Sequence, residues 1–337
     1  MFDIDASLKT RGPLSPSNGN QPKLFPSTSS DNLYSKQSNT ANSANSSKFR
    51  LDPTKQSSKR NGKIAGYAAN TNQGLYRDYN EDRVSIILNI MKPGELATTQ
   101  WPRSSFFGVY DGHGGTNCAD FLRDNLHQFV IRQPSFPSNV KEAILTGFKA
   151  AENAFLAKAK GEEEIDRSGS CAIVVMVVGD FCYVANVGDS RAILSANNGS
   201  RCIDLSRDHK PIDDHEFDRI TKGGGKVYQT HIQNPKMEDG SVQTIIGPHR
   251  VFPGRLSVSR TIGDLEAKDP ELGGNPSVVI ATPEIKCFKI SPEHDFIILG
   301  SLEILTKKRR RNLRQDELER SYQLCLEFHE SNPWGLA

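Results

Sequence analysis

The chain has 337 residues, 36% hydrophobic and 24% charged, with 42 Lys and Arg against 40 Asp and Glu; it can bury a sizeable core, and a net charge of +2 points to no particular class of partner. Its longest wholly apolar stretches, such as residues 171–178, are too short to span a bilayer, and Met1-Phe2-Asp3 offers neither a signal-peptide apolar region nor a glycine for myristoylation. Cys118, Cys171, Cys182, Cys202, Cys287 and Cys325 lack paired metal spacing and sit mostly in apolar runs, so reduced thiols and a cytoplasmic or nuclear location are expected.

Residues 1–62 are rich in Ser, Asn, Lys and Pro and poor in aliphatics, so they are expected to stay disordered, because they cannot bury enough apolar surface to offset their ordering entropy. They read as a regulatory or targeting arm, or equally as a solvated extension. Residues 63–301 have a globular pattern. First comes Arg77-Asp78-Tyr79-Asn80-Glu81-Asp82, leading into an apolar run at 84–90. In an extended segment Arg77 and Glu81, four apart, point the same way. A guanidinium beside a carboxylate and a hard-cation site suits a phosphate ester, although a surface salt-bridge cluster fits the same residues.

Residues 106–110 read as a strand that runs into Asp111-Gly112-His113-Gly114-Gly115. A carboxylate at a strand exit, with glycines that expose a main-chain carbonyl, suits Mg2+ or Mn2+, and His113 could protonate a leaving group. The run also fits a tight turn with a solvated histidine. Ala119, Leu122, Leu126, Phe129 and Val130, then Ala143, Ile144, Phe148, Ala151 and Phe155, recur at helical spacing. Strands are expected at 172–178 and 181–187, joined by a Gly179-Asp180 turn, and at 192–195, 277–280 and 296–299. A helix over 214–222 has Asp213 as its cap and stops at Gly223-Gly224-Gly225. Residues 227–250 form a polar stretch. Strand runs followed by helix pairs indicate an α+β class with a two-layer β-sandwich flanked by helices.

Six blocks in order over residues 64–301 resemble the metal-dependent serine/threonine protein phosphatases of type 2C. Beyond the two motifs above they are Asp166-Arg167-Ser168-Gly169-Ser170-Cys171-Ala172, Asn186-Val187-Gly188-Asp189-Ser190-Arg191-Ala192, Asp208-His209-Lys210-Pro211 and Leu256-Ser257-Val258-Ser259-Arg260-Thr261-Ile262-Gly263-Asp264. The resemblance implies a four-layer α-β-β-α sandwich with a dinuclear metal centre at one end. It implies Mg2+ or Mn2+ held by Glu81, Asp111 and the Gly112 carbonyl, phosphate held by Arg77, and His113 as the acid that protonates the departing serine or threonine oxygen. Asp82 reads as an orienting neighbour of Glu81. Asp189 and Asp264 could help a third, weaker cation or serve structural turns. Phosphoprotein substrates and a monomer are implied, and the stretch 227–250 resembles the family's variable flap.

After Ser301 the pattern departs. Leu302-Glu303 stands where the family has an Asp-Gly pair, and no Asp-Asn pair follows in the polar, basic segment 302–337. Two metal-ligand carboxylates of the family are thus unmatched, as a shifted reading frame or altered splice would leave them. A catalytically impaired relative, or a truncated product that binds phosphoproteins without turnover, is therefore the alternative to a working phosphatase. The run Lys307-Lys308-Arg309-Arg310-Arg311 reads as a localisation-like patch or solvated helix end, and no nucleic-acid partner is expected. Leu318, Tyr322, Leu324, Cys325 and Phe328 suggest one amphipathic helix, which would leave a sheet edge uncovered and the C-terminal part of the fold incomplete.

Overall fold

A computed structural model describes residues 55–72, 78–94, 100–233, 244–301 and 324–328. The expected tail as far as residue 54, Arg77, the 234–243 loop, Leu302-Glu303 and the basic run 307–311 lie outside the described residues. In chain order, β1 (Lys55–Ser57), β2 (Ile64–Ala69), β3 (Arg83–Ile87), β4 (Ser104–Tyr110) and β5 (Gly112–His113) precede helices α1 (Asn117–Ile131) and α2 (Val140–Gly161). Then come β6 (Gly169–Ser170), β7 (Ala172–Val178), β8 (Phe181–Val187), β9 (Arg191–Ala196), β10 (Arg201–Asp204) and α3 (Asp214–Lys222). The remainder is β11 (Lys226–Gln233), β12 (Thr244–Phe252), β13 (Ile262–Gly263), α4 (Leu265–Lys268), β14 (Glu284–Lys289), β15 (His294–Gly300) and β16 (Leu324–Phe328).

Two antiparallel sheets dominate: five strands in the order β14-β8-β7-β4-β3 and six in the order β1-β2-β16-β15-β9-β10. Alternate residues of β4 and β7 serve different layers. Phe107, Val109, Ile173, Val175 and Val177 join Leu194, Ile297, Leu299, Leu324 and Leu326 in the core between the sheets. Phe106, Tyr110, Val174 and Met176 face the other way, onto Leu122, Leu126, Ile144, Phe148 and Phe155 of α1 and α2. Every residue of β4 and of β7 is buried, which explains why residues 106–110 and 172–178 read as apolar runs without polar alternation. The described residues thus form helix, sheet and sheet layers. The cluster on the outer face of the six-stranded sheet, Ile193, Phe296, Ile298 and Cys325, contains no helical residue.

The expected elements form closely. Both long helices, the 172–187 hairpin with Gly179 at φ +59°, and α3 with the Asp213 carboxylate accepting from the His215 amide, match the pattern in the chain. Four expectations are overturned. The stretch 277–280 is a turn, because Arg219 Nη1 donates to the Ser277 and Val278 carbonyls at 3.1 and 2.9 Å and takes the place of a strand partner. The polar stretch 227–250 is largely the β11-β12 hairpin, anchored by Val227 and the fully buried Val251 against Ile220, Val278 and Val279. Order also begins earlier than residue 63, since β1 pairs with β2 in the register Lys55↔Ala69 to Ser57↔Tyr67.

The fourth overturned expectation is the C-terminal helix. Residues Leu324–Phe328 form a strand inside the six-stranded sheet, paired with β15 on one side and β2 on the other. Leu318 and Tyr322 lie outside the described residues. The i, i+4 spacing of Leu324 and Phe328 concealed a period of two: Leu324, Leu326 and Phe328 are buried at 0%, 0% and 8% exposure, while Glu327 points out. This strand closes the gap between β2 and β15 that the sequence pattern left as an open edge. Accordingly, Leu326→Ala should lower unfolding free energy by about 2 to 5 kcal/mol, and Glu327→Ala by less than about 0.5 kcal/mol, in urea titrations. Equal small effects would show that this segment does not build the sheet.

Candidate active site

Antiparallel pairing of β4 with β7 puts the end of one strand beside the start of the other. Asp111 therefore leaves the sheet next to Cys171, whose amide donates to the Asp111 carbonyl at 2.9 Å, with the Ser170 hydroxyl donating to the same oxygen at 3.2 Å. From that rim a small ladder forms. β6 pairs with β5 on one side (Gly112↔Ser170, His113↔Gly169) and with β13 on the other (Ile262↔Ser170, Gly263↔Gly169). Three motifs far apart in the chain thus meet over two residues.

Gly169 is the crossing point. A Cβ there would collide with the Asp264 carboxylate and lie 2.6 Å from His113 Nε2, so only glycine leaves the gap across which the two side chains meet. His113 Nε2 lies 2.9 Å from both Asp264 carboxylate oxygens. Burial disfavours charge on this imidazole. The hydrogen bond and charge of Asp264, reinforced by Asp111 and Glu81, outweigh burial and raise its pKa above the ordinary histidine value. A protonated imidazole with its hydrogen-bond geometry fixed is a competent proton donor.

Glu81 reaches the same loop from the other side. Its Oε1 accepts from the Gly115 amide at 2.9 Å, and Gly112 packs so tightly under it that a Cβ would lie 2.5 Å from the Glu81 carbonyl. Arg83 fixes the approach: Nε and Nη2 grip the Asp120 carboxylate of α1 at 2.7 and 3.2 Å, and Nη1 donates to the carbonyls of Asn80 and Asp82. Asp82 follows Glu81, with its amide on Asn80 Oδ1 at 2.9 Å. Arg77, the expected phosphate ligand, lies outside the described residues.

Among the described residues no three His, Cys, Asp or Glu side chains converge as a complete metal cage. The charges of Asp111 and Glu81 both act on His113, so two carboxylates lie near this loop, and together with a main-chain carbonyl such as that of Gly112 they would make an all-oxygen donor set. Such a set fits a hard divalent cation that keeps several waters. Asp189 and Asp264 are differently engaged. Lys210 Nζ pairs with Asp189 Oδ2, and Cys171 Sγ donates to Asp189 Oδ1 at 3.4 Å, while Asp264 serves His113.

Comparison with known proteins agrees with this assembly. A family model described as protein phosphatase 2C matches residues 65–313. The chain belongs to the protein phosphatase 2C family. It is 36% identical over 236 residues to protein phosphatase 2C homolog 2 of Hypocrea jecorina, covering 69% of this chain and 48% of that protein. Identity with protein phosphatase 2C homolog 2 of Schizosaccharomyces pombe is 37% over 202 residues, 59% of this chain and 48% of that protein. The chain thus spans about half the length of the curated relatives it matches. A crystal structure of serine-threonine phosphatase 2C from Toxoplasma gondii shares the fold, with a TM-score of 0.55 at 18% identity, over 83% of this chain and 100% of that one.

The remaining phosphatase 2C motifs hold the ladder from behind. Fully buried His209 takes the Gly188 amide on Nδ1 at 3.0 Å, and its carbonyl accepts from the Ser259 amide and hydroxyl at 2.9 and 3.1 Å. Beneath it, Glu216 accepts from Ser259 Oγ at 2.6 Å, Arg219 Nη2 at 2.8 Å and Arg260 Nη2 at 2.5 Å. Burial alone would raise the Glu216 pKa; hydrogen bonds from Arg260, Ser259 and Arg219 bring it down to about 2. Burial, followed by the charge of Arg260, pushes His209 down to about 4. The Asp264 contact to His113, 151 residues away, had no local signal in the chain, and only the place of Asp264 in a family motif marked it; Glu216 lies outside those motifs, and the sequence does not single it out.

Both depressed values couple stability to pH in the same sense. The His209 contribution is complete above the unfolded value of 6.5 and is lost as pH falls toward 4; that of Glu216 is complete above 4.5 and is lost toward 2. Lowering the pH from about 7 to about 4 should therefore cost roughly 3 kcal/mol through His209, seen as a falling urea midpoint. His209→Gln should remove its share of the loss in that window, leaving that of His127, which burial also pushes down to about 4, and the loss below it.

Proposed function

We propose that this chain hydrolyses phosphoserine and phosphothreonine in proteins, using Mg2+ or Mn2+ held by Asp111, Glu81 and the Gly112 carbonyl at one end of the β-sandwich. The observation that supports this most directly is the His113–Asp264 pair at 2.9 Å, set beside two carboxylates at the rim of the sheet. When bound, a divalent ion supplies Lewis acidity toward the phosphate and lowers the pKa of water. The chain's own residues do the rest. His113, whose Nε2–H donates to Asp264, gives the proton of its other ring nitrogen, Nδ1, to the oxygen of the departing serine or threonine, and Asp264 stabilises the protonated imidazole beforehand and keeps its ring aimed. Arg77 grips the phosphate oxygens bidentately and keeps phosphorus in line.

Two carboxylates balance about one dication, whereas two ions a few ångströms apart repel strongly. One tightly held Mn2+ per chain is therefore expected in calorimetry, and Asp111→Ala should abolish it. Two tight sites would mean that residues outside the described set complete a dinuclear centre.

Turnover of a phosphothreonine peptide that needs Mn2+, is stopped by a chelator and is absent in Asp111→Ala tests the reading; no turnover above that variant would sink it. His113→Gln should cut kcat for the peptide by about 10²–10⁴-fold. The loss should be much smaller with an aryl phosphate, whose leaving group needs little protonation. An equal loss on both substrates would remove His113 from the role of acid.

A further inference from the structure

Two charged side chains that no step above uses are buried next to the ladder. Glu152 of α2 is 8% exposed and Lys268, the last residue of α4, is 4% exposed. Glu152 Oε1 pairs with Lys268 Nζ. The other oxygen, Oε2, accepts from the Gly263 amide at 2.8 Å, and Lys268 Nζ also donates to the Thr261 carbonyl at 2.9 Å. The pair therefore grips the main chain on both sides of Ile262, in the strand that leads into Asp264.

Asp264 needs such a grip. It has φ +55° and ψ +55°, a left-handed conformation that a residue with a Cβ adopts only when its surroundings over-determine it. Its amide donates to the Ser168 carbonyl at 3.0 Å, and the Glu152 bond fixes the residue immediately before it. Together these two amide contacts set where the Asp264 carboxylate emerges, and so where His113 Nε2 is held.

We propose that Glu152 is a positioning residue for the His113–Asp264 pair, acting through the Gly263 amide, with Lys268 as the buried charge that orients its carboxylate. Helix α2 is thereby tied to the site. The catalytic consequence rests on the reading of His113 as proton donor; the structural one does not. A carboxylate one methylene shorter still neutralises Lys268, whose jointed side chain can follow it, whereas the Gly263 amide is fixed in the ladder and would lose its acceptor.

Two variants separate these roles. Glu152→Asp keeps the charge and withdraws the oxygen from Gly263; Glu152→Gln keeps an oxygen at the same reach and loses the charge. Positioning predicts that E152D lowers kcat at least about tenfold with KM within about twofold, and that E152Q, although melting lower, recovers most of that kcat. Leu194→Ala, in the six-stranded sheet, provides an equally destabilised control with unchanged kcat. In parallel, E152D should speed exchange of the Gly263 amide about tenfold and shift the His113 ring signals in NMR spectra. A folded E152D with wild-type Gly263 exchange and unshifted His113 signals would overturn the proposal, as would kcat better preserved in E152D than in E152Q. If the wild-type chain shows no turnover, the phosphatase reading fails and the exchange and ring signals still decide the role of Glu152. If E152Q does not fold, E152D alone decides it.

Discussion

Strands β4 and β7 have no solvent face, and most of the architecture follows from that constraint. Each of their residues is buried, so both sides of this central pair must be covered by apolar layers. A buried Val, Ile or Phe contributes about 1.5–3 kcal/mol relative to its exposed state, so the two strands anchor a large part of the folding free energy. One cover is the α1-α2 pair and the other is the six-stranded sheet. The second cover is continuous only because β16 fills the position between β2 and β15. Rigid strands in turn have ends fixed in space. Asp111 and Cys171 leave adjacent strands at the same rim, and loops on such a rim are where chemistry can be placed accurately.

Charge is handled by enclosure rather than exposure around that rim. Glu216 is enclosed by Arg219 and Arg260, Glu152 by Lys268, Asp189 by Lys210 and Asp264 by His113. Buried pairs of this kind add little net stability, because desolvation offsets much of their attraction, yet removing one partner leaves a costly unpaired charge. Their effect is to exclude alternative loop arrangements. In this molecule the enclosed groups bind backbone as well as each other: Ser259 to His209, Glu152 to Gly263, Arg219 to the 277–278 carbonyls. The family motifs Asp208-His209-Lys210-Pro211 and Ser257-Val258-Ser259-Arg260 are therefore best understood as a frame for the ladder that carries His113 and Asp264.

Much of this was legible from the chain because it depends on near neighbours. Helical spacing marked α1 and α2, apolar runs at 106–110 and 172–178 marked β4 and β7, and Asp213 with the glycines at 223–225 marked both ends of α3. Where local pattern misled, a distant partner had replaced a local one. Residues 278–280 are β-branched and apolar, yet Arg219 takes carbonyls a strand would use; residues 227–250 are polar, yet two strands pair there because Val227 and Val251 find an apolar cluster. Leu324–Phe328 fits a helix or a strand by spacing alone, and the vacancy between β2 and β15 selects the strand.

The candidate site divides in the same way. Residue types and spacing suggested that Glu81, Asp111, Gly112 and His113 could form an oxygen-rich, proton-donating rim, but left a tight turn and a surface salt-bridge cluster open until the order of the family motifs was added. Only the tertiary structure decided that Asp264 holds His113, that Asp189 is neutralised by Lys210, and that Gly169 must lack a side chain. The reason is geometric: these contacts span up to 151 residues and exist only once antiparallel pairing has carried β5, β6 and β13 to one edge, a registry no local pattern encodes.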